Sequence, residues 1–283
     1  MTTLISWNIQ NGLGVDGKLS IKRISDTIRS MCNPDVICLQ EVSVNVALPD
    51  GSYSDQVSEL ADEFVGYEIV FGAAMDVVYP DRTQRGQYGN LILSRLPVMS
   101  VFNHPLPQPT DGPTKQMPRQ LTEVTVLAPS GPLGVMTTHL EFHSQIQRLA
   151  QSVRIKDVVS DINMQEKSPP KFTDTGPYAR FERSSKCVLC GDFNFLISSE
   201  EYRALTESAK DQPRLHDAWL LANPGKTHDP TCGIYDSQQW PEGSHCRDFV
   251  FVSDGLINSV ESMSVNTETN ASDHQPLAVE LNI

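Results

Sequence analysis

The chain has 283 residues, of which 39% are hydrophobic, and carries 22 Lys plus Arg against 35 Asp plus Glu, a formal charge of −13. A field of that sign repels a polyanion unless basic residues cluster locally, so composition argues against a general nucleic-acid coat protein. No apolar run approaches the ~18 residues that span a bilayer, and no basic n-region precedes the first strand, so the sequence predicts a cytoplasmic protein without a transmembrane segment.

Strand and helix signals alternate without an internal repeat or a Gly/Ser linker, and the whole chain, 1–283, reads as one domain. The first strand is Leu4-Ile5-Ser6. Ser20 is placed to cap a helix with Ile21, Ile24, Ile28 and Met31 on its apolar face, stopped by Asn33-Pro34. The strand Val36 to Leu39 follows. Ser54 is expected to cap a second helix that turns Val57, Leu60, Ala61 and Phe64 inward, leading to a strand from Glu68 to Phe71. Strands are then expected at Leu91-Ile92-Leu93, Leu121 to Leu127 and Leu133 to Thr137, the last two joined by the turn Pro129-Ser130-Gly131-Pro132. A longer helix is expected from about Ser144 to Asn163, using Ile146, Leu149, Val153 and Val158. Residues 167–186 are polar and proline-bearing and read as a surface insertion. The run Cys187 to Cys190 reads as a buried strand, followed by helices at Glu200 to Ser208 and His216 to Leu221, a loop from Asn223 to Cys246 and two closing strands.

The six cysteines, three of them in apolar runs, read as reduced thiols. Cys187 and Cys190 form a C-x-x-C, but positions i and i+3 of a strand point to opposite faces, so the two sulfurs do not share a metal. Residues 76–120 stand apart in charge: Arg82, Arg85, Arg95, Lys115 and Arg119 oppose Asp76, Asp81 and Asp111, making this segment the best candidate for a phosphate-facing rim, with a chance cluster on a solvated surface an equal alternative.

Six strand ends carry polar residues in a telling order: Asn8, then Gln40-Glu41, Thr138-His139, Asp192-Phe193-Asn194, Asp248, and Ser272-Asp273-His274. Phosphate esters resist attack because the nucleophile meets negative oxygens, so a catalyst must supply a cation, an activated water and donors to the phosphoryl oxygens. A sparse carboxylate set such as Glu41 with Asp273 suits Mg²⁺, which keeps several waters, better than it suits zinc.

These words, with Leu39-Gln40-Glu41, Gly191-Asp192-Phe193-Asn194 and Tyr88-Gly89-Asn90 ahead of Leu93-Ser94-Arg95-Leu96-Pro97, resemble the endonuclease/exonuclease/phosphatase superfamily across essentially the whole chain. The resemblance implies an α/β fold, a four-layer sandwich of two packed, mostly antiparallel β-sheets flanked by helices, with the site at one edge. It implies that Glu41 is the principal metal ligand, with Asp273 and Asn8 beside it, and that Mg²⁺ is the cofactor, with Mn²⁺ as a substitute. Asp192 would orient or deprotonate the attacking water, and Asn194 would hold the phosphate or the water in line. His274 would donate to a phosphoryl oxygen or share the proton transfer, with Asp248 fixing its tautomer. The base role stays divided between Asp192 and His274. His139, in a T-H-L word, is similar to the phosphate-polarising histidine of deoxyribonuclease-like and sphingomyelinase-like members; abasic-site endonucleases have tyrosine in that role. Asn90, Arg95 and Arg119 are the substrate contacts expected, although strand packing explains the Asn90 and Arg95 word equally well. Arg247 abuts Asp248 where many members have an aliphatic residue. His104, His143, His216, His228 and His245 receive no role.

The implied activity is a metal-dependent phosphodiesterase or phosphatase attacking directly with water. A phosphate-ester substrate, small or a lipid head group, is favoured over nucleic acid. A deoxyribonuclease-like endonuclease is the runner-up, and a non-catalytic binding protein on the same fold is the rival from another class.

Overall fold

A computed structural model describes residues 1–79, 83–207 and 213–283; Asp81 and Arg82 of the basic segment, and Ser208 at the expected end of a helix, lie outside the described residues. The strands are β1 (Thr2–Asn8), β2 (Val36–Ala47), β3 (Tyr53–Asp55), β4 (Glu68–Val78), β5 (Arg85–Ser94), β6 (Val98–Pro105), β7 (Gln120–Ala128), β8 (Gly131–His139), β9 (Cys187–Asp192), β10 (Leu215–Asp217), β11 (Asp248–Ser253), β12 (Val260–Val265) and β13 (Leu277–Leu281). The helices are α1 (Ile21–Met31), α2 (Gln56–Glu63), α3 (Gln145–Lys167), α4 (Glu200–Thr206) and α5 (Ala218–Ala222).

One sheet runs β12-β13-β1-β2-β5-β4, with β3 on β2, and the other runs β10-β11-β9-β8-β7-β6. Among the described strands, only β1 with β2 and β8 with β9 pair in parallel; the other strand pairings are antiparallel. This is the expected two-sheet α/β sandwich, mostly antiparallel. Alternation along the strands divides the core. On β2, Val36 and Cys38 face the other sheet while Ile37 and Leu39 face Ile21, Ile24 and Ile28 of α1. On β9, Val188 and Cys190 point between the sheets while Cys187 and Leu189 face Ile155, Val158, Val159 and Ile162 of α3. Cys187 and Cys190 therefore belong to different cores, as strand geometry requires, and all six cysteines are free.

Ser20 accepts from the Arg23 amide and Ser144 from the Gln147 amide, so both expected caps form. Some expectations are corrected. Asp55, not Ser54, caps α2: the helix starts at Gln56, and the Asp55 carboxylate accepts from the Ser58 amide. The polar word at 216–217 extends β10, leaving α5 to start at Ala218, and three strands rather than two close the chain. Helix α3 turns a different face inward: Ile146 and Val153 are 56% and 47% exposed, while Gln147 and Gln151 are buried. Their amides hold the loop between β6 and β7, Gln147 donating to the Pro109 carbonyl at 2.8 Å and Gln151 to that of Pro107 at 3.2 Å. Buried amides are favourable there because both are hydrogen-bonded, which periodicity of apolar residues does not register.

Lys167 closes α3, and residues 168–186 run along the surface, tied down where Arg183 grips the buried Glu123 carboxylate with two bonds of 2.8 and 2.7 Å. No helix among the described residues is long and apolar enough to cross a membrane.

Candidate active site

The two parallel pairs lie side by side in the middle of their sheets and end at the same edge. Asn8 is level with Gln40, and His139 with Asp192; antiparallel β11 starts there too, with Asp248 opposite Asp192. Between the sheets the apolar filling gives way to polar groups as that edge is approached, and Gln40 reaches across to the Thr137 hydroxyl at 2.9 Å.

Local backbone departures aim the side chains. Strand β2 bulges between Leu39 and Val42, and Glu41 adopts φ +60°; Asn194 adopts φ +53°. Left-handed conformation is tolerated by Asn and unusual for Glu, and such strain persists where the surroundings over-determine it. Gly191 has φ +143°, and a Cβ there would sit 1.9 Å from the Thr138 carbonyl oxygen, so only glycine lets β9 lie against β8 at this level.

Asp192, fully buried, is the hub. Its Oδ2 accepts from Asn8 Nδ2 at 2.9 Å and faces His139 Nε2 at 3.4 Å and His274 Nε2 at 3.7 Å. Its Oδ1 accepts from the Asn194 amide at 2.9 Å. Asn8 also donates to Glu41 Oε1 at 3.1 Å, and His139 Nδ1 stands 3.8 Å from that oxygen. His274 Nδ1 meets Asp248 Oδ2 at 2.8 Å, and Thr231 donates to the same oxygen at 2.6 Å. The His274 carbonyl takes a bond from the Trp7 indole at 2.9 Å, which fixes the ring's backbone. Asp192, Asp248 and His274 place one donor atom each within 4.8 Å of one another.

Burial raises the Asp273 carboxyl to about 6, with Glu41 adding to the rise and His274 opposing it. Burial likewise lowers His139 to about 4, helped by the Arg119 cation. Burial works against a charged His274 too, but Asp248 and Asp192 override it and hold the imidazole well above its ordinary value. Asp192 is lowered despite burial, because His274, His139 and Asn8 favour its anion. The imidazolium thus sits between two carboxylates, and His139 stays neutral near pH 7.

A cleft of about 530 Å³ opens over these groups, floored by Glu41, Asp192, Asn194, His139, Asp273 and His274 and walled by Tyr88, Lys115, Arg119, Phe142 and Trp240 among others. Of the sequence-derived set, Glu41, Asn8, His139, Asp192, Asn194, Asp248, Asp273 and His274 come together. Arg119 lines the cleft, pairing with buried Glu141 at 3.3 Å. Asn90 donates to the Gln120 carbonyl at 3.3 Å beside His139, in a small void next to the main cleft. Arg95 is corrected: β5 runs antiparallel to β2, so it emerges at the opposite end of the sheet, where it pairs with Asp35 at 2.8 Å and bonds the Asn33 carbonyl. Arg85 pairs with exposed Asp76 and does not line the cleft, so only Lys115 and Arg119 of the basic segment do so among the described residues.

Sequence reasoning gave no role to Glu141, Phe142 or Trp240. Glu141 follows His139 by two residues, and strand alternation could have found it. Trp240 arrives on the long 223–246 loop, which carries no periodic signal.

The model of the endonuclease/exonuclease/phosphatase family matches residues 5–274. An endonuclease/exonuclease/phosphatase from Beutenbergia cavernae is 25% identical over 99% of this chain and 71% of its own, with a TM-score of 0.72. The mannosyl-6-phosphatase of Bacteroides thetaiotaomicron superposes over 100% of both chains at 17% identity and a TM-score of 0.69. The D. rerio TDP2 complexed with a single-strand DNA product superposes over 100% of this chain and 99% of its own, at 20% identity and a TM-score of 0.62. Comparison with curated protein sequences finds no match.

Proposed function

Because the chain belongs to the endonuclease/exonuclease/phosphatase family, we propose that it hydrolyses a small phosphoester by direct attack of water, with Mg²⁺ as cofactor and Mn²⁺ able to replace it. The observation that carries this reading is the convergence of Glu41, His139, Asp192, Asn194, Asp273 and His274 on one cleft floor from both sheets, with buried Asn8 bridging Glu41 and Asp192.

The donor set suits a hard cation. Burial and the neighbouring Glu41 hold the Asp273 carboxyl up at about 6, and buried His139 Nδ1 lacks a hydrogen-bond partner 3.8 Å from Glu41. Glu41 and Asp273 would hold the ion, with Asn8 orienting Glu41. His274 Nδ1–H is committed to Asp248 Oδ2 and the imidazolium offers a metal no lone pair, so that cluster serves proton chemistry rather than coordination. When bound, the cation would neutralise phosphoryl charge and stabilise the negative charge developing on the leaving oxygen.

The rest falls to the chain's own groups. Asp192, held anionic and fixed by Asn8 and the Asn194 amide, orients the attacking water and takes its proton beside the His274 imidazolium. The Nε2–H of His274 and a neutral His139 donate to phosphoryl oxygens; His139, lowered to about 4, does so by hydrogen bonding rather than by giving up a proton. Asp248 holds the His274 tautomer. A net charge of −13 and a cleft whose lining includes Lys115 and Arg119 beside the His274 imidazolium favour one phosphate on a compact leaving group over a nucleic-acid track.

The test is an assay of purified protein with Mg²⁺, Mn²⁺ or excess chelator against a generic monoester, a generic diester, inositol phosphates, sphingomyelin and supercoiled plasmid. Turnover of a small ester that chelation abolishes is expected. Activity that survives exhaustive chelation would remove the metal reading. Plasmid nicking that collapses steeply with salt, with negligible small-ester turnover, would establish the nuclease instead.

A further inference from the structure

Arg247, the residue that departs from the family pattern next to Asp248, does not line the cleft but touches three of the pieces that do. Its Nε donates to His245 Nε2 at 2.7 Å, and His245 Nδ1 bonds the Gly243 carbonyl at 2.7 Å, which fixes Nε2 as the acceptor. One terminal nitrogen donates to the Asn194 carbonyl at 3.2 Å and the other faces Glu242 at 3.6 Å. The guanidinium lies 4.6 Å from the Trp240 ring centre and 5.8 Å from that of Phe142, whose rings meet edge to face at 5.7 Å. Trp240 in turn stands edge-on to the His274 imidazole at 6.0 Å.

On the premise that the cleft takes a phosphoester, we propose that Arg247 is a positioning residue that builds the leaving-group wall. It pins the long loop through His245 and Trp240, the β8–α3 turn through Phe142, and the end of β9 through the Asn194 carbonyl. The wall it fixes is aromatic, so it selects leaving groups that present an apolar ring face, aryl or glycosyl, over bare alkyl ones. Lysine cannot replace it: one ammonium cannot stack on Trp240, meet His245 and reach the Asn194 carbonyl together.

The test uses two non-hydrolysable probes, phenylphosphonate and methylphosphonate, titrated calorimetrically into the Mg²⁺-loaded full chain. The wild type is expected to bind the phenyl compound more tightly. Arg247→Gln should weaken phenylphosphonate by about 10-fold and methylphosphonate by less than about 3-fold, since only the first reaches the wall. Arg247→Lys should not restore the difference. Phe142→Ala, at a half-exposed position that leaves the fold intact, should lower the phenyl preference by itself, and adding it to Arg247→Gln should cost less than the product of the two losses. Equal weakening of both probes by Arg247→Gln, or an unchanged phenyl preference in Phe142→Ala, would overturn the inference while leaving the hydrolase reading standing. Binding of neither probe by the wild type would remove both.

Discussion

The cleft end and the rest of the same pair of sheets use the same residue types to opposite effect. Away from the cleft, Arg95 meets Asp35 at 2.8 Å, and Glu123, buried mid-strand on β7, meets Arg183 at 2.7 Å and His104 at 2.7 Å, so each acid has an arginine partner. At the cleft end, Asp192, Asp248 and Asp273 crowd around one imidazolium, and buried His139 Nδ1 and Asp248 Oδ1 are left without partners. Satisfied pairs hold a fold; crowded and unsatisfied groups are poised for a ligand, at a cost the rest of the core absorbs.

Four substitutions sharpen that contrast. Gly191→Ala should destabilise by at least ~3 kcal/mol and abolish activity, because its Cβ would strike the Thr138 carbonyl and part β8 from β9; chemical denaturation checks it. Glu41→Ala should lower turnover by on the order of 10²-fold and raise the Mg²⁺ needed for half-maximal rate, with the melting temperature unchanged or higher. Away from the cleft the pattern should invert. Glu123→Gln should cost about 2 kcal/mol of stability with kcat unaltered, since it strips the anion from Arg183 and His104. The Glu123 carboxyl is lowered, its cations outweighing burial, so its contribution is present above the ordinary carboxylate value and fades as pH falls through the folded one. The stability gap between wild type and Glu123→Gln should therefore narrow in acid; a gap that widens would reverse the assignment. Arg95→Ala should change kcat/KM less than about 2-fold, as expected for an exposed pair far from the cleft.

Much of this division was legible in the sequence because strand ends are local. Polar residues that break apolar runs at Asn8, Glu41, His139, Asp192 and Asp248 mark where strands leave the core, and parallel pairing gathers those exits at one edge. Arg95 was misread for the same reason: a local word does not say which way its strand runs. Helix α3 hid its inward face because Gln147 and Gln151 are buried by hydrogen bonds to a loop rather than by apolarity. Trp240 and Lys115 reach the cleft from long loops, whose course is set by tertiary contacts such as Arg247 on His245.

The claim that the cleft end acts as one catalytic unit is tested most directly by the kcat/KM of Asp192→Asn, His274→Asn and the double variant on a small phosphoester with Mg²⁺. Each single change should cost on the order of 10²-fold or more, and the double little beyond the worse single, because both act on one proton transfer. Strictly multiplicative losses would contradict the account.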